Sequence, residues 1–246
     1  MGKADAMWDR ARAALLIPCG DHAYDESLWE RAVRVARIAD LITRLPAVAA
    51  RRPDATAVCA AALFHDGGWI ARLRDEQATL TDIFTRPPMD AHRELGAWLM
   101  RKELAGVIPP ASLDRASVAI QSLSDRDTDS IEAQVVSEAE NLDAFGLAAF
   151  WSIVRRNTME GRGVRAAIDM WQRQQEYHFW TARLEKSFRF DVVRRLAADR
   201  LGQFARAMAI LEAHHEATDL EAVVRAATSR STRGVSRHGP PQGRVS

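Results

Sequence analysis

The sequence AALFHDGGW (61–69) places a histidine and an aspartate side by side, at the end of an apolar segment and directly before two glycines. The apolar segment is predicted to form a helix that ends at His65, and the glycines are predicted to stop it. At a helix terminus two adjacent side chains can turn toward one point, and nitrogen plus oxygen ligands suit Mn, Fe, Co, Ni or Zn. His65 and Asp66 are therefore candidate metal ligands, and the alternative is a hydrogen-bonded helix cap.

Helical spacing of apolar residues continues on both sides of this stretch, and alternating apolar and polar residues, which are typical of strands, are absent. The sequence therefore predicts an all-α fold, a helical bundle with additional C-terminal helices. The main predicted helices cover 27–49, 54–65, 90–104, 110–123, 131–145, 170–188 and 191–215.

Three segments, in this order, resemble the motifs of the HD-domain superfamily of metal-dependent phosphohydrolases: AVRVARIADL (32–41), AALFHDGGW (61–69) and EAENLDAFG (138–146). The ligands of that family are a His on an early helix, the His-Asp pair and a later Asp. YHFWTARLEKSF (177–188) is similar to the C-terminal helices of bacterial HD hydrolases that act on nucleotides, and the resemblance covers roughly 25–216. It implies an HD-domain bundle that binds one divalent metal ion (Mn, Ni, Co, Zn, Fe or Mg) and hydrolyses phosphate esters.

The sequence departs from this pattern at two ligand positions. Arg31 stands where the first His is expected, and a guanidinium has no lone pair to give to a metal. It could instead bind a substrate phosphate, or pair with Asp66 or Glu140. Glu140 stands where the later Asp is expected and keeps a carboxylate, so it is a candidate ligand; the alternative is a glutamate on the helix surface. His22, in the loop before the first of these helices, is a candidate replacement for the missing His.

Two further histidines are candidates through the same resemblance. His92 follows the His-Asp pair and resembles the additional His of two-metal HD proteins, which makes it a candidate ligand. The next His of the two-metal pattern should fall near Ser122 or Leu123 and is missing, so a dinuclear site is disfavoured. His178 lies in a segment that packs beside the site in this resemblance, so it is a candidate substrate contact; the alternative is a core or interface residue.

The composition limits the kinds of binding partner and the cellular compartment that are expected. Lys and Arg number 34 against 33 Asp and Glu, and a net charge of +1 gives no basic surface for long nucleic acid. No apolar run reaches the length of a membrane span, so no membrane partner is expected. Cys19 and Cys59 are far apart in the sequence, which indicates a reducing compartment, and a cytoplasmic location is expected.

The predicted organisation is one HD-like domain over 1–216, with a core at about 25–150 and C-terminal helices over 151–216. A short terminal helix (217–228) and a tail rich in Ser, Arg, Gly and Pro (229–246), predicted to be disordered, follow it. The predicted function is metal-dependent hydrolysis of a small phosphorylated metabolite or nucleotide, in which Asp66 also orients the nucleophile. The alternative, favoured by Arg31, is a catalytically degenerate HD fold that binds a nucleotide or a protein partner.

Overall fold

Helices form nearly all of the structure in the computed structural model, which describes residues 3–19, 23–86 and 88–235. The prediction of an all-α fold is confirmed, because the one antiparallel strand pair within these residues has only two residues in each strand. In chain order the elements are α1 (Lys3–Leu15), β1 (Ile17–Pro18), β2 (Tyr24–Asp25), α2 (Ser27–Thr43), α3 (Pro46–Ala49), α4 (Ala55–Phe64), α5 (Gly67–Arg74), α6 (Leu80–Thr85), α7 (Asp90–Leu104), α8 (Pro110–Gln121), α9 (Ile131–Asp143), α10 (Leu147–Met159), α11 (Val164–Glu176), α12 (Phe179–Lys186), α13 (Asp191–Glu216) and α14 (Thr218–Val235).

Helix α4 lies at the centre of the N-terminal bundle, where it packs against α2, α7, α8 and α9. Its sequence, ATAVCAAALF, is apolar on every side, so it has no face suited to water. The Asp54 carboxylate caps its start and accepts hydrogen bonds from the backbone nitrogens of Thr56 (2.9 Å) and Ala57 (3.0 Å). Because α4 ends inside the core, the two residues after Phe64 begin in the interior of the protein.

The prediction of a single helix over 27–49 is wrong at its C-terminal end. Helix α2 ends at Thr43, and Pro46 begins the short helix α3. Proline disfavours the helical conformation in the residue before it, and Leu45 is extended accordingly (φ −62°, ψ 133°).

Helix α4 ends at Phe64, just before the glycines that were predicted to stop it, but Gly67 and Gly68 also begin a further helix, α5, which was not predicted. Glycine is required at this start because α5 approaches α7 closely. A Cβ atom built on Gly68 would lie 1.9 Å from the carbonyl oxygen of His92, so only glycine fits there. The two glycines thus let α7 pass directly beside the His-Asp pair.

The predicted helix over 170–188 is two helices, α11 and α12. The break falls at Tyr177 and His178, and His178 has left-handed backbone angles (φ 53°). The change of direction packs α12 against α13, which also packs against α9 and α10.

At the C-terminus, helix α14 continues to Val235, beyond the predicted helix end at 228. The first part of the predicted disordered tail is therefore helical, and 236–246 lie outside the described residues. None of the helices in the described part of the chain is long and apolar enough to cross a membrane.

Candidate functional site

Four of the six predicted site residues come together where α2, α4, α5, α7 and α9 meet. His65 and Asp66 form the junction of α4 and α5 and are 1% and 5% exposed. Arg31 reaches this junction from α2, and Glu140 reaches it from α9.

His65, Asp66 and Glu140 each offer a ligand atom, and these three atoms lie within 4.8 Å of one another. The Nδ1 atom of His65 lies 2.7 Å from the carbonyl oxygen of Ala62, so it carries the ring proton and donates it. In the neutral imidazole the lone pair is then on Nε2, which lies 3.3 Å from Asp66 Oδ2. Within the described residues, the buried atoms His65 Nε2 and Asp66 Oδ1 have no hydrogen-bond partner. Buried acceptors without a donor are costly, so this point of the structure suits a cation or a donor group.

Arg31 lies on the cavity side of this group. Its Nη1 atom contacts Asp66 Oδ2, and longer ion pairs join its Nη2 to Glu140 Oε1 (3.6 Å) and its Nε to Asp143 Oδ2 (3.7 Å). Burial by itself lowers the pKa of Arg31, but Asp66, Glu140 and Asp143 together raise it above the ordinary value. Of the alternatives that the sequence left open for Arg31, the structure thus shows pairing with a carboxylate.

Arg93 on α7 is a part of the site that the sequence analysis missed. Its side chain is buried, and its Nη2 lies 2.8 Å and 3.0 Å from the two carboxylate oxygens of Glu140. Its Nη1 donates to the backbone oxygen of His65 (2.8 Å) and lies 3.7 Å from Asp66 Oδ1. Arg93 therefore fixes the Glu140 carboxylate beside the His-Asp pair.

The helical spacing of α7 contained a signal for this role. Arg93 shares one stripe of the helix with Ala97, Met100 and Leu104, all of which are buried. A charged residue on a buried stripe needs a partner of opposite charge.

The two carboxyl groups of the site are held in the ionised form. Burial raises the pKa of Asp66, but Arg31 and Arg93 outweigh it and hold the pKa well below its usual range. Burial likewise opposes ionisation of Glu140, and Arg93 and Arg31 lower its pKa. Both groups therefore present anionic oxygens at neutral pH.

His92 is not brought into the group, so its predicted role as a ligand has no support in the structure. The backbone nitrogen of Met89 donates to Nδ1 (3.0 Å), and Nε2 lies 3.2 Å from Arg72 Nη1. The ring packs on Trp69, with 4.0 Å between centroids, and burial and the Arg72 cation lower the pKa of His92. Both ring nitrogens of His92 thus contact residues other than Asp66.

His178 is exposed and does not line a cavity of the site, although the next two residues, Phe179 and Trp180, do. After the left-handed turn at His178, Trp180 is buried, whereas Phe179 remains partly exposed at the edge of the cavity. His22, the candidate replacement for the missing ligand, lies outside the described residues.

A cavity of about 320 Å³ opens beside Arg31, a size suited to a small ligand. Its wall combines basic, acidic and aromatic side chains from α2, α9, α10 and α12. Among the described lining residues are Arg31, Arg34, Arg155, Arg156 and Arg183, the acids Glu30 and Asp143, and the aromatics Trp151, Phe179 and Trp180. Basic side chains outnumber acidic ones, so the cavity favours an anionic ligand.

The fold is similar to that of YpgQ from Bacillus subtilis. One crystal structure of YpgQ matches with a TM-score of 0.56 and 21% identity, over 85% of this chain and 94% of YpgQ. A second, of YpgQ in complex with ADP, matches with a TM-score of 0.56 and 22% identity, over 85% and 93% of the two chains. At such identities the likeness shows a shared fold alone. No family model matches the sequence, and no curated protein does.

Proposed function

We propose that this chain is an HD-type, metal-dependent phosphohydrolase that acts on a small phosphorylated metabolite or nucleotide. The observation that carries the proposal is the buried Nε2 atom of His65, which has no hydrogen-bond donor among the described residues and lies beside the carboxylates of Asp66 and Glu140. One nitrogen and two carboxylates suit Mn, Fe, Co, Ni or Zn. A ligating His commonly donates its other ring N–H to a backbone carbonyl, as His65 does to Ala62.

His65, Asp66 and Glu140 would hold the ion. A bound divalent ion polarises a phosphoryl oxygen and lowers the pKa of a water molecule. Among the residues of the chain, Arg93 keeps Glu140 in place with two hydrogen bonds. Asp66 Oδ1, which has no hydrogen bond within the described residues, can accept a hydrogen bond from an attacking water and so orient it.

Arg31 has to leave Asp66 when an ion binds, because a guanidinium and a metal ion repel each other. Its side chain is 32% exposed and lines the cavity, so it can turn toward a ligand there. The charges of Asp66 and Glu140 are balanced by those of Arg31 and Arg93. A bound divalent ion therefore leaves the site with an excess of positive charge, which a phosphate group with roughly two negative charges would compensate.

Two observations support a small phosphorylated substrate. The cavity beside Arg31 has more basic than acidic lining residues, and aromatic side chains on the same wall offer a surface for a planar ring. YpgQ, which shares the fold, has been crystallised with ADP. We include a cytoplasmic location in the proposal, since Cys19 and Cys59 are free thiols.

The test is release of inorganic phosphate from a panel of nucleotides and sugar phosphates, with added Mn²⁺, Ni²⁺ or Mg²⁺. Hydrolysis that requires the ion and is lost in Asp66→Asn supports the proposal. No hydrolysis of any compound by protein that has been shown to contain the ion contradicts it.

The ion pair between Arg31 and Asp66 favours a second candidate function, binding of a phosphorylated ligand without hydrolysis. In that case Arg31 permanently supplies the positive charge that a metal supplies elsewhere in the family. Metal content separates the two functions, since the second one requires no ion.

A further inference from the structure

Arg183 differs from the other arginines of the cavity in its partners. Arg34 is bound to Asp143 through its Nε (2.8 Å) and Nη2 (3.3 Å). Arg155 contacts Asp25, and Arg156 contacts the sulfur of Met170. Arg31, as described above, is paired with Asp66.

The Arg183 guanidinium, in contrast, has neither a hydrogen bond nor a salt bridge within the described part of the chain. Its central carbon lies 5.7 Å from the ring centroid of Phe145, which holds the group in place without using its N–H donors. A guanidinium has five such donors in a planar fork, which matches the oxygens of a phosphate.

The surroundings of Arg183 connect it to the proposed reaction centre. It is half-buried in the cavity wall that also contains Arg31. Burial lowers the pKa of Arg183, and the opposing effects of Glu140 (raising) and Arg31 (lowering) do not restore it, so its positive charge is incompletely compensated. Trp180 lines the same wall, and its Nε1 donates to Gln174 (3.0 Å), which fixes the indole.

We propose that Arg183 is the residue that binds the phosphate group of the ligand, a phosphate monoester or small nucleotide, in the cavity beside Arg31. The inference rests on the proposed function for the identity of the ligand class, but it does not require a metal. Arg183 would hold the phosphate through paired N–H donors. Arg31 would either keep its contact with Asp66 or bind the phosphate together with Arg183.

The test is calorimetric titration with inorganic phosphate and with AMP in a buffer containing EDTA, so that no metal contributes. Arg183→Gln is expected to weaken binding about 10- to 100-fold, the loss typical of hydrogen bonds to a charged group. Arg183→Lys keeps the charge without the planar fork and should be intermediate. Arg173→Gln, which changes an exposed arginine outside the cavity, is the control and should bind as the wild type does.

A structural role for Arg183 would lower the unfolding temperature of the ligand-free variant, and a role in binding would not. The proposal is overturned if Arg183→Gln binds like the wild type, or if the wild type binds neither compound. If the wild type contains no metal but loses affinity in Arg183→Gln, the hydrolase proposal fails and the role of Arg183 stands.

Discussion

Glu138 and Glu140 are two residues apart on α9, and their surroundings are opposite. Glu138 is fully buried and accepts hydrogen bonds from the backbone nitrogens of Arg189 (2.6 Å) and Phe190 (3.4 Å), just before α13. Burial raises its pKa to about 7. Glu140 points to the other side of the helix, toward Arg93 and His65, and the neighbouring cations lower its pKa.

The difference shows that the protonation state and the function of a buried carboxylate depend on nearby cations and not on residue type. Arg93 keeps Glu140 ionised beside a histidine with a free lone pair, which is what a ligand requires. Among the described residues no cationic side chain is hydrogen-bonded to Glu138, and its hydrogen bonds to backbone nitrogens fix the chain just before α13. The comparison predicts that substitutions on the Glu140 side of α9 affect metal binding and that substitutions on the Glu138 side do not.

The largest effect is expected for Arg93→Gln, which removes the cation that is hydrogen-bonded to Glu140. Breaking a buried ion pair leaves an uncompensated charge, so the free energy of unfolding should fall by about 3–5 kcal/mol. Urea denaturation measures it. Arg101→Gln is the control on the same helix, because its pair with Asp114 is exposed and should be worth less than about 1 kcal/mol. If the free energy of unfolding fell equally in the two variants, the ion pair of Arg93 would stabilise the protein no more than a surface ion pair does.

The next effect is on metal affinity, measured by titration with Mn²⁺ and Zn²⁺. Glu140→Gln should weaken binding by about 100-fold or more, since loss of outer-shell partners alone costs about 10- to 100-fold. Glu138→Gln, two residues away, should leave the affinity unchanged. A loss of the same size in both variants would show that the two sides of α9 are not distinct.

A smaller effect in the opposite direction is expected for Arg31→His. It replaces a cation next to the proposed ion with a neutral ligand, so metal affinity should rise by about tenfold or more. Arg31→Gln removes the charge without adding a nitrogen ligand and should give an intermediate gain. Weaker binding in both variants would show that Arg31 organises the group instead of competing for it.

A separate effect concerns the pH dependence of stability, which involves Glu138 on the other side of α9. Because its pKa is raised from 4.5 to about 7 in the folded protein, the folded state binds this proton more tightly than the unfolded state does. The contribution of Glu138 to stability is therefore greatest below pH 4.5 and is lost as the pH rises to about 7. Relative to Glu138→Gln, the wild type should lose about 3 kcal/mol of stability over this range, and its unfolding temperature should fall by about 6–12 °C. Parallel curves for the two proteins would contradict the assignment.

Much of the fold could be predicted from the sequence, because it depends on short-range patterns. The apolar helix α4 and its Asp54 cap follow directly from residue order. The breaks at Pro46 and His178 and the helix that begins at Gly67 were missed. The helix start at Gly67 depends on how closely α7 approaches, which is a property of the packed structure.

The site, too, could be predicted only in part. The adjacent His and Asp in the sequence identified His65 and Asp66, and the family resemblance pointed to Glu140 rather than Glu138. On α7, His92 was predicted to be part of the site, whereas the residue that contacts Glu140 is its neighbour Arg93. Helical spacing places Arg93 on a buried stripe of α7, but it does not reveal which distant residues become the partners, Glu140 for Arg93 and Arg72 for His92.

The central claim is that His65, Asp66 and Glu140 hold a metal ion. Its most direct test is metal content by mass spectrometry of the purified wild type, of His65→Ala with Asp66→Ala, and of Glu138→Gln. We expect about one divalent ion per chain in the wild type and in Glu138→Gln, as for a mononuclear site, and none in the double variant. No metal in the wild type, even after reconstitution with Mn²⁺, Ni²⁺ or Zn²⁺, would contradict the claim and leave Arg31 as the permanent cation of the site.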